Sequence, residues 1–210
     1  MNKFRIIQIL AIILIAGDLA AMWATTDVYD EVEDRIVRVL CLSCIKLEPK
    51  TDSLFTFDIL EGTEHPDFVL ENLTKGLVFL HYTEDVCHAC DIMLPVINDF
   101  FDTSIEKKDE FSATIDFMDS TVTIIYINID HREEYFNEPF YTYDKDNIGG
   151  LPMFTIISVG YDRGIVKPYY TSLYGTLALD TDEARLEKLS QVFTEAIDLY
   201  KQNSDGYSYP

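Results

Sequence analysis

The sequence has few basic residues relative to its acidic ones. Lysine and arginine together number 16 against 37 aspartates and glutamates, giving a formal net charge of −21 at pH 7. Nucleic-acid phosphates are bound by clustered basic side chains, and no basic stripe is visible, which argues against a nucleic-acid partner. The acidity also disfavours docking on an anionic lipid surface. We interpret it as a solvated surface that maintains solubility.

The sequence also lacks internal repeats and long low-complexity segments. Its 210 residues are 48% hydrophobic and 25% charged, which is ordinary for a globular protein and excludes large-scale disorder. A chain of this length is short for two full domains. We therefore expect one well-packed domain with additional segments.

Cysteine is scarce too, which excludes a small scaffold held together by many disulfides. The four cysteines form two CxxC pairs, Cys41/Cys44 and Cys87/Cys90. Close pairs of this kind indicate redox or metal chemistry.

The N-terminus predicts the compartment. Lys3 and Arg5 precede a largely apolar stretch at 6–24 that only Asp18 interrupts, and five acidic residues follow closely. Positive charge before an apolar stretch and negative charge after it place the remainder outside the cytoplasm. We interpret residues 1–25 as a signal peptide or membrane anchor. A single uncleaved anchor at the cell membrane is favoured, and cleavage would leave a secreted or periplasmic protein.

The remaining chain divides into three segments. Residues 26–51 form a juxtamembrane segment with an amphipathic helix and the Cys41/Cys44 pair, residues 52–202 form the main domain, and residues 203–210 form a flexible tail. In the main domain we predict strands at Leu54–Leu60, Leu77–Thr83, Thr121–Ile129, Met153–Val159 and Val166–Leu173, and helices at Asp67–Leu73, from Cys87 toward Phe101, and after Asp180 or Thr181. A polar connection is expected over Thr103–Ser120. Alternating strands and helices of this kind predict an α/β sheet covered by helices.

Four motifs in this domain occur in a fixed order. The apolar strand Leu77–Thr83 leads into Cys87-His88-Ala89-Cys90, and Pro95 follows five residues after the second cysteine. The strand ending at Tyr126–Asp130 closes with Asn-x-Asp. The segment Ile148–Met153 carries Gly-Gly-Leu-Pro. A proline inside a helix costs about 3 kcal/mol, so Pro95 indicates a particular helix geometry rather than chance.

Together these motifs resemble the thioredoxin family over about residues 52–202. The resemblance implies a thioredoxin fold, with a central mixed β-sheet flanked by helices. It implies a cis Pro152 that faces redox-active Cys87 and Cys90 and holds the substrate backbone. The partners implied are protein thiols and disulfides, with a membrane redox partner as a further expectation and no cofactor.

The chain also departs from the family pattern. Val86 stands where the family usually has tryptophan, and His81 aligns with a buried acid. Insertions lie at 103–119 and 131–147. In relatives, a histidine such as His88 between the cysteines goes with oxidase or isomerase activity.

The chemistry expected at the motif follows from its place at a helix start. The helix N-terminus favours the Cys87 thiolate by roughly 0.3–1 kcal/mol, up to ~2 when partly buried. Because one pKa unit corresponds to about 1.36 kcal/mol, the helix supplies about one unit. Further stabilisation would come from His88 or amide donors, whereas Glu84, Asp85 and Asp91 oppose it.

Several roles have competing interpretations. His81 is favoured as a core histidine over a proton-transfer group, and His88 as a tuning residue over a metal ligand. Cys41/Cys44 is interpreted as a structural disulfide, as a second redox pair, or, least favoured, as part of a Cys₄ zinc site, because the separation of the two pairs exceeds zinc-ribbon spacing. We predict no metal site.

The sequence thus predicts an extracytoplasmic thiol–disulfide oxidoreductase that acts on protein disulfides, with the direction of electron flow open. The alternative is a non-catalytic binding or assembly module at the cell surface that keeps the fold and a static Cys87–Cys90 disulfide.

Overall fold

The computed structural model describes residues 55–107, 111–131, 134–144 and 147–209, with the backbone alone at 134–138. The predicted signal or anchor at 1–25, the juxtamembrane segment at 26–51 and the Cys41/Cys44 pair lie outside these ranges and stay predictions. Among the helices in the described ranges, none combines the length and the apolar character needed to cross a membrane.

The described chain forms four helices, five strands and a final 3₁₀ turn. In chain order these are α1 (Asp67–Leu73), β1 (Leu77–Thr83), α2 (His88–Phe101), β2 (Phe111–Phe117), β3 (Ser120–Asn128), α3 (Glu134–Tyr143), β4 (Met153–Asp162), β5 (Ile165–Tyr174), α4 (Asp182–Asn203) and the turn Ser204–Gly206. The three helices and four of the five strands predicted for the main domain are therefore confirmed within a few residues.

The five strands form one mixed sheet in the order β2-β3-β1-β4-β5. Strand β1 is central, and it pairs parallel with β3 and antiparallel with β4. All seven β1 residues are buried, as the continuous apolar run predicts for a strand covered on both faces. Helices cover the sheet on both sides, and the expected mixed sheet flanked by helices is confirmed.

Alternate residues of β1 contribute to two separate cores. Leu77 and Phe79 belong to the cluster that includes α2 and α4, whose own apolar residues recur at helical spacing. Val78, Leu80 and Tyr82 belong to the cluster on the other face, with residues of α1 and α3.

The predicted strand at Leu54–Leu60 is wrong. In its described part, only Asp58 pairs with the sheet, through an isolated antiparallel bridge to Tyr170 in β5. Phe55 and Phe57 pack against the α2 and α4 core, whereas Leu60 packs against the opposite cluster. The apolar residues that predicted a strand thus serve side-chain packing, and ladder pairing stops after one residue.

The predicted polar connection at Thr103–Ser120 is wrong in its second half, where β2 runs antiparallel to β3. Half-buried and exposed residues alternate along β2, as expected for an edge strand with one covered face. The segment 131–147, expected as an insertion, contains α3.

The C-terminal tail has local structure in the described part. The turn Ser204–Gly206 follows α4, and the Tyr209 hydroxyl donates a hydrogen bond to the Asp67 carboxylate at 2.8 Å. The flexibility of the tail at 203–210 stays a prediction. At the other end of α4, Thr181 is the N-cap, since its hydroxyl accepts the Ala184 N–H.

Candidate active site

Three of the sequence motifs converge at one end of the sheet. Strands β1 and β3 are parallel and end in register, with Thr83 opposite Asn128. Strand β4 is antiparallel to β1 and begins at the same end, with Met153 opposite Tyr82. The loop leading to Cys87, the Asn-x-Asp segment and Pro152 therefore all lie at this end.

Cys87 and Cys90 form a disulfide with a Cα–Cα distance of 5.2 Å. Cys87 is the N-cap of α2, in an extended backbone conformation, and its Sγ accepts a hydrogen bond from the Cys90 N–H at 3.0 Å. Sulfur thus occupies the position that a hydroxyl or carboxylate oxygen holds in ordinary N-caps. After reduction the same amide and the helix N-terminus would both favour a thiolate at Cys87.

Both cysteines are buried, whereas the residues on either side of Cys87 are exposed. Cys87 is 8% exposed and Cys90 is 2% exposed, whereas the preceding Val86 is 91% exposed. His88, the first residue of α2, is also exposed. Val86 and His88 are therefore the side chains that an approaching protein would meet beside Cys87.

The Asn-x-Asp motif holds the loop that precedes Cys87. The Asn128 Nδ2 donates to the Asp85 carboxylate at 3.0 Å, and the Asp85 N–H donates to the Asp130 carboxylate at 2.7 Å. The Asn128 Oδ1 in turn accepts the Asp130 N–H. His131 Nε2 lies 2.7 Å from the other Asp85 carboxylate oxygen. The sequence marked Asn128 and Asp130 by resemblance, but it gave no sign of His131.

A second contact lies at the first turn of α2. The Lys107 ammonium pairs with the Asp91 carboxylate at 2.6 Å. The Lys107 carbonyl accepts hydrogen bonds from the Tyr126 hydroxyl and the Asn128 Nδ2. The start of the predicted insertion is thereby fixed between β3 and the CxxC helix.

The peptide bond between Leu151 and Pro152 is cis, as the resemblance implies. The preceding loop is held by Asp144, whose buried carboxylate accepts the N–H groups of Ile148 and Gly149 and the Tyr174 hydroxyl, all within 2.9 Å. The Pro152 carbonyl accepts the Gly175 N–H. Asp144 carries no recognisable motif, because its partners are set by the path of the loop.

His81 lies in β1 on the sheet face that α2 covers. It is 1% exposed and packs against the rings of Tyr126 and Phe154, with ring centroids 5.0 and 4.8 Å away. Neither ring nitrogen has a hydrogen-bond partner among the described residues. Burial lowers the pKa of His81 from 6.5 to about 3, which keeps the imidazole neutral and makes it a weak base. The environment thus favours the core interpretation, and proton transfer by His81 stays a prediction.

The described residues were compared with the donor sets that metal ions require. In the described ranges, no group of three or more His, Cys, Asp or Glu side chains is arranged to hold a metal ion. Cys41 and Cys44 lie outside those ranges.

Comparisons with known proteins give limited similarity. No protein-family model matches the sequence, and the curated proteins contain no match. Among solved structures, thioredoxin O2 from Arabidopsis thaliana, crystallised in its oxidised state, is 17% identical, with a TM-score of 0.35 over 62% of this chain and 84% of that one. Thioredoxin from Aeropyrum pernix is 12% identical, with a TM-score of 0.34 over 66% and 94% of the two chains.

The fold is identified by the chain's own arrangement. A mixed sheet carries helices on both faces, its central strand leads into a CxxC disulfide at a helix N-terminus, and a cis proline precedes the neighbouring strand at the same end. The described part of this chain has a thioredoxin-like fold.

Proposed function

We propose that this protein is a thiol–disulfide oxidoreductase that acts on protein disulfides through Cys87 and Cys90. The observation that carries the proposal is the disulfide at the start of α2, with the Cys90 N–H bonded to the Cys87 sulfur. A dithiol at this position has one member favoured as a thiolate and a second within reach to resolve an intermediate.

The exchange conserves atoms and electrons. The Cys87 thiolate attacks a substrate disulfide, forms a mixed disulfide and releases one substrate thiolate. The Cys90 thiolate then attacks the Cys87 sulfur, which closes the protein disulfide and releases the second substrate thiolate. Two electrons pass to the substrate in this direction. The reverse sequence oxidises a substrate dithiol and leaves Cys87 and Cys90 reduced.

The test is capture of the intermediate. The Cys90→Ser variant lacks the resolving thiol. It should therefore accumulate a mixed disulfide with a protein that carries non-native disulfides, such as scrambled ribonuclease. Cys87→Ser is the matched control and should accumulate none. Equal trapping by both variants, or none by either, would contradict the proposal. The redox potential of the wild-type pair then assigns the oxidase, isomerase or reductase direction.

The low exposure of Cys87 favours a second candidate, a binding or assembly module with a static disulfide. Titration of the reduced protein separates the two. A Cys87 pKa below the free-thiol value of about 8.5 supports exchange, and a value at or above it supports the static module.

We also propose that the domain lies outside the cytoplasm. It rests on Lys3 and Arg5 before the apolar stretch and on the acidic residues after it. Protease added to intact cells should digest the domain. Alkaline carbonate should leave an uncleaved chain in the membrane fraction and release a cleaved one. Complete protection from the protease would contradict this part.

Within this proposal, Cys41 and Cys44 either transfer electrons to Cys87 and Cys90 or form a structural disulfide. A variant in which both are serine should be reduced more slowly by membrane fractions if they transfer electrons to Cys87/Cys90. An unchanged rate would remove the relay and leave the structural interpretation.

A further inference from the structure

The two carboxylates that flank the disulfide in sequence are each paired with a cationic or protonatable side chain. Asp85, two residues before Cys87, lies against His131 at 2.7 Å, and Asp91, next to Cys90, lies against Lys107 at 2.6 Å. Carboxylates near a thiolate disfavour it by like-charge repulsion. Their counter-ions therefore bear on the chemistry of the cysteines.

Asp85 is the better fixed of the two carboxylates. One of its oxygens accepts from Asn128 and the other contacts His131, while its own N–H is held by Asp130. Its side chain is 28% exposed, against 56% for Asp91. We call Asp85, Asn128, Asp130 and His131 the Asp85 cluster.

The cluster is anchored on the sheet rather than on a free loop. The Ile129 N–H donates to the Thr83 carbonyl at 2.9 Å, continuing the pairing of β3 with β1 beyond the two strands. The His131 N–H donates to the Asn128 carbonyl. The Asp85 charge is thus held at a constant place relative to the N-terminus of α2, as an electrostatic effect requires.

We propose that Asp85 and His131 form an electrostatic pair that sets the stability of the Cys87 thiolate and thereby the balance between the oxidised and reduced forms. This rests on the proposed function. Asp85 opposes the thiolate, and a positive charge at residue 131 offsets that opposition. The carboxylates of Glu84 and Asp130 and the exposed His88 are the other titratable groups of these segments, and the variants below leave all three unchanged.

Charge and contact can be separated by substitution. Asp85→Asn removes the negative charge, stabilises the thiolate and should shift the equilibrium with glutathione toward reduced protein. His131→Gln removes the protonatable group and should shift it toward the disulfide. His131→Lys places a cation there and should favour the reduced form relative to His131→Gln. A half-exposed pair is worth about 0.2–1 kcal/mol, so each shift should reach roughly 1.4- to fivefold at a pH above the titrated Cys87 pKa, where the reduced protein carries the thiolate.

The opposite signs are the decisive readout. A merely structural role would move Asp85→Asn and His131→Gln in the same direction, because both weaken the same contact. Asp116→Asn is the matched control. It removes one negative charge from an exposed position on β2 that pairs with Thr121, near the other end of β3, and should leave the equilibrium unchanged.

Each outcome has a distinct meaning. Opposite shifts that shrink at 1 M NaCl support the pair, since salt screens charge interactions. Shifts of the same sign, or no shift, in variants that still exchange disulfides overturn this inference and leave the proposed function intact. Loss of exchange in the wild type itself would instead overturn the proposed function.

Discussion

A buried histidine with no hydrogen-bond partner in the described part of the chain makes stability depend on pH. His81 has a folded-state pKa of about 3 against 6.5 for a free side chain, so below pH 6.5 the unfolded chain binds a proton that the folded chain does not. Stability is then unaffected by His81 above pH 6.5 and falls as the pH drops toward 3, by up to about 1.4 kcal/mol per pH unit. His65, with a pKa lowered to about 4 by burial, adds a loss of the same sign.

His81→Leu should therefore reduce the acid sensitivity and raise stability at neutral pH by about 1–2 kcal/mol, because it removes two buried nitrogens that no described residue hydrogen-bonds. Urea unfolding of the oxidised protein between pH 4.5 and 7.5 measures both effects. Tyr82→Phe is the control. The Tyr82 hydroxyl is also buried without a partner in the described chain, and burial raises the pKa of Tyr82 well above 10. That variant should gain stability without changing the acid slope. An unaltered slope in His81→Leu would contradict the assignment.

At the residue scale the sequence marked the residues of the candidate site but not all of the residues that hold them in place. Cys87, Cys90 and Pro152 belong to motifs that can be recognised by their order along the chain. Asp144 and His131 act through contacts that depend on how loops are placed. Asp144 accepts N–H groups four and five residues away, and His131 reaches a residue 46 positions earlier. No spacing rule marks such residues.

The hairpin joining β2 and β3 holds two residues in a left-handed conformation. Met118 has φ of 48° and Asp119 has φ of 58°, and together they form the whole connection between the strands. Two-residue hairpin turns with positive φ at both positions favour asparagine and glycine. Methionine is poorly suited to this conformation, because its Cβ crowds the following carbonyl.

Met118→Asn should raise the free energy of unfolding by about 0.5–1 kcal/mol, because asparagine tolerates the left-handed conformation better. The gain is measured by urea denaturation of the oxidised protein. Met118→Leu keeps an apolar side chain without improving the backbone preference, and it should give no gain. Equal stabilisation by both substitutions would indicate a side-chain effect rather than a turn effect.

Elements differ in how far the sequence specifies them. An apolar run predicts strand β1, and the spacing of apolar residues after the CxxC predicts helix α2. Strand β2 does carry a sequence signal, because Phe111, Ala113, Ile115 and Phe117 alternate with polar residues as in a strand with one covered face. The polar character of the whole stretch 103–120 outweighed this alternation in the prediction. The segment at 54–60 shows the converse. Its apolar residues suit a strand, yet ladder formation also requires a partner edge, and the sequence does not show which edges are available.

The excess negative charge acts on the whole molecule. The chain has a formal charge of −21, and the charges of the described domain are held closer together in the folded state than in the unfolded chain, so self-repulsion destabilises folding. Raising NaCl from 0.01 to 0.2 M shortens the screening length from about 30 Å to under 10 Å. The free energy of unfolding should rise by on the order of 1 kcal/mol over this range, measured by urea denaturation at pH 7.5.

A second salt and a neutral osmolyte are the controls for this prediction. Potassium chloride should match sodium chloride, because screening depends on ionic strength. A neutral osmolyte at the same osmolality should not reproduce the salt dependence. A decrease of stability with salt would show that attractive pairs such as Lys107–Asp91 outweigh the net repulsion.

The contrast between the central and outermost strands has a consequence for how the chain accepts change. Every residue of β1 is buried, whereas exposed and half-buried residues alternate along β2. In a library of all single substitutions selected for abundance, every position of β1 should tolerate few substitutions. In β2, the exposed positions Ser112, Thr114 and Asp116 should accept most replacements, and the half-buried positions between them should accept fewer. Over evolution, substitutions would then accumulate at the exposed positions of β2, while the strand that leads to Cys87 stays nearly unchanged.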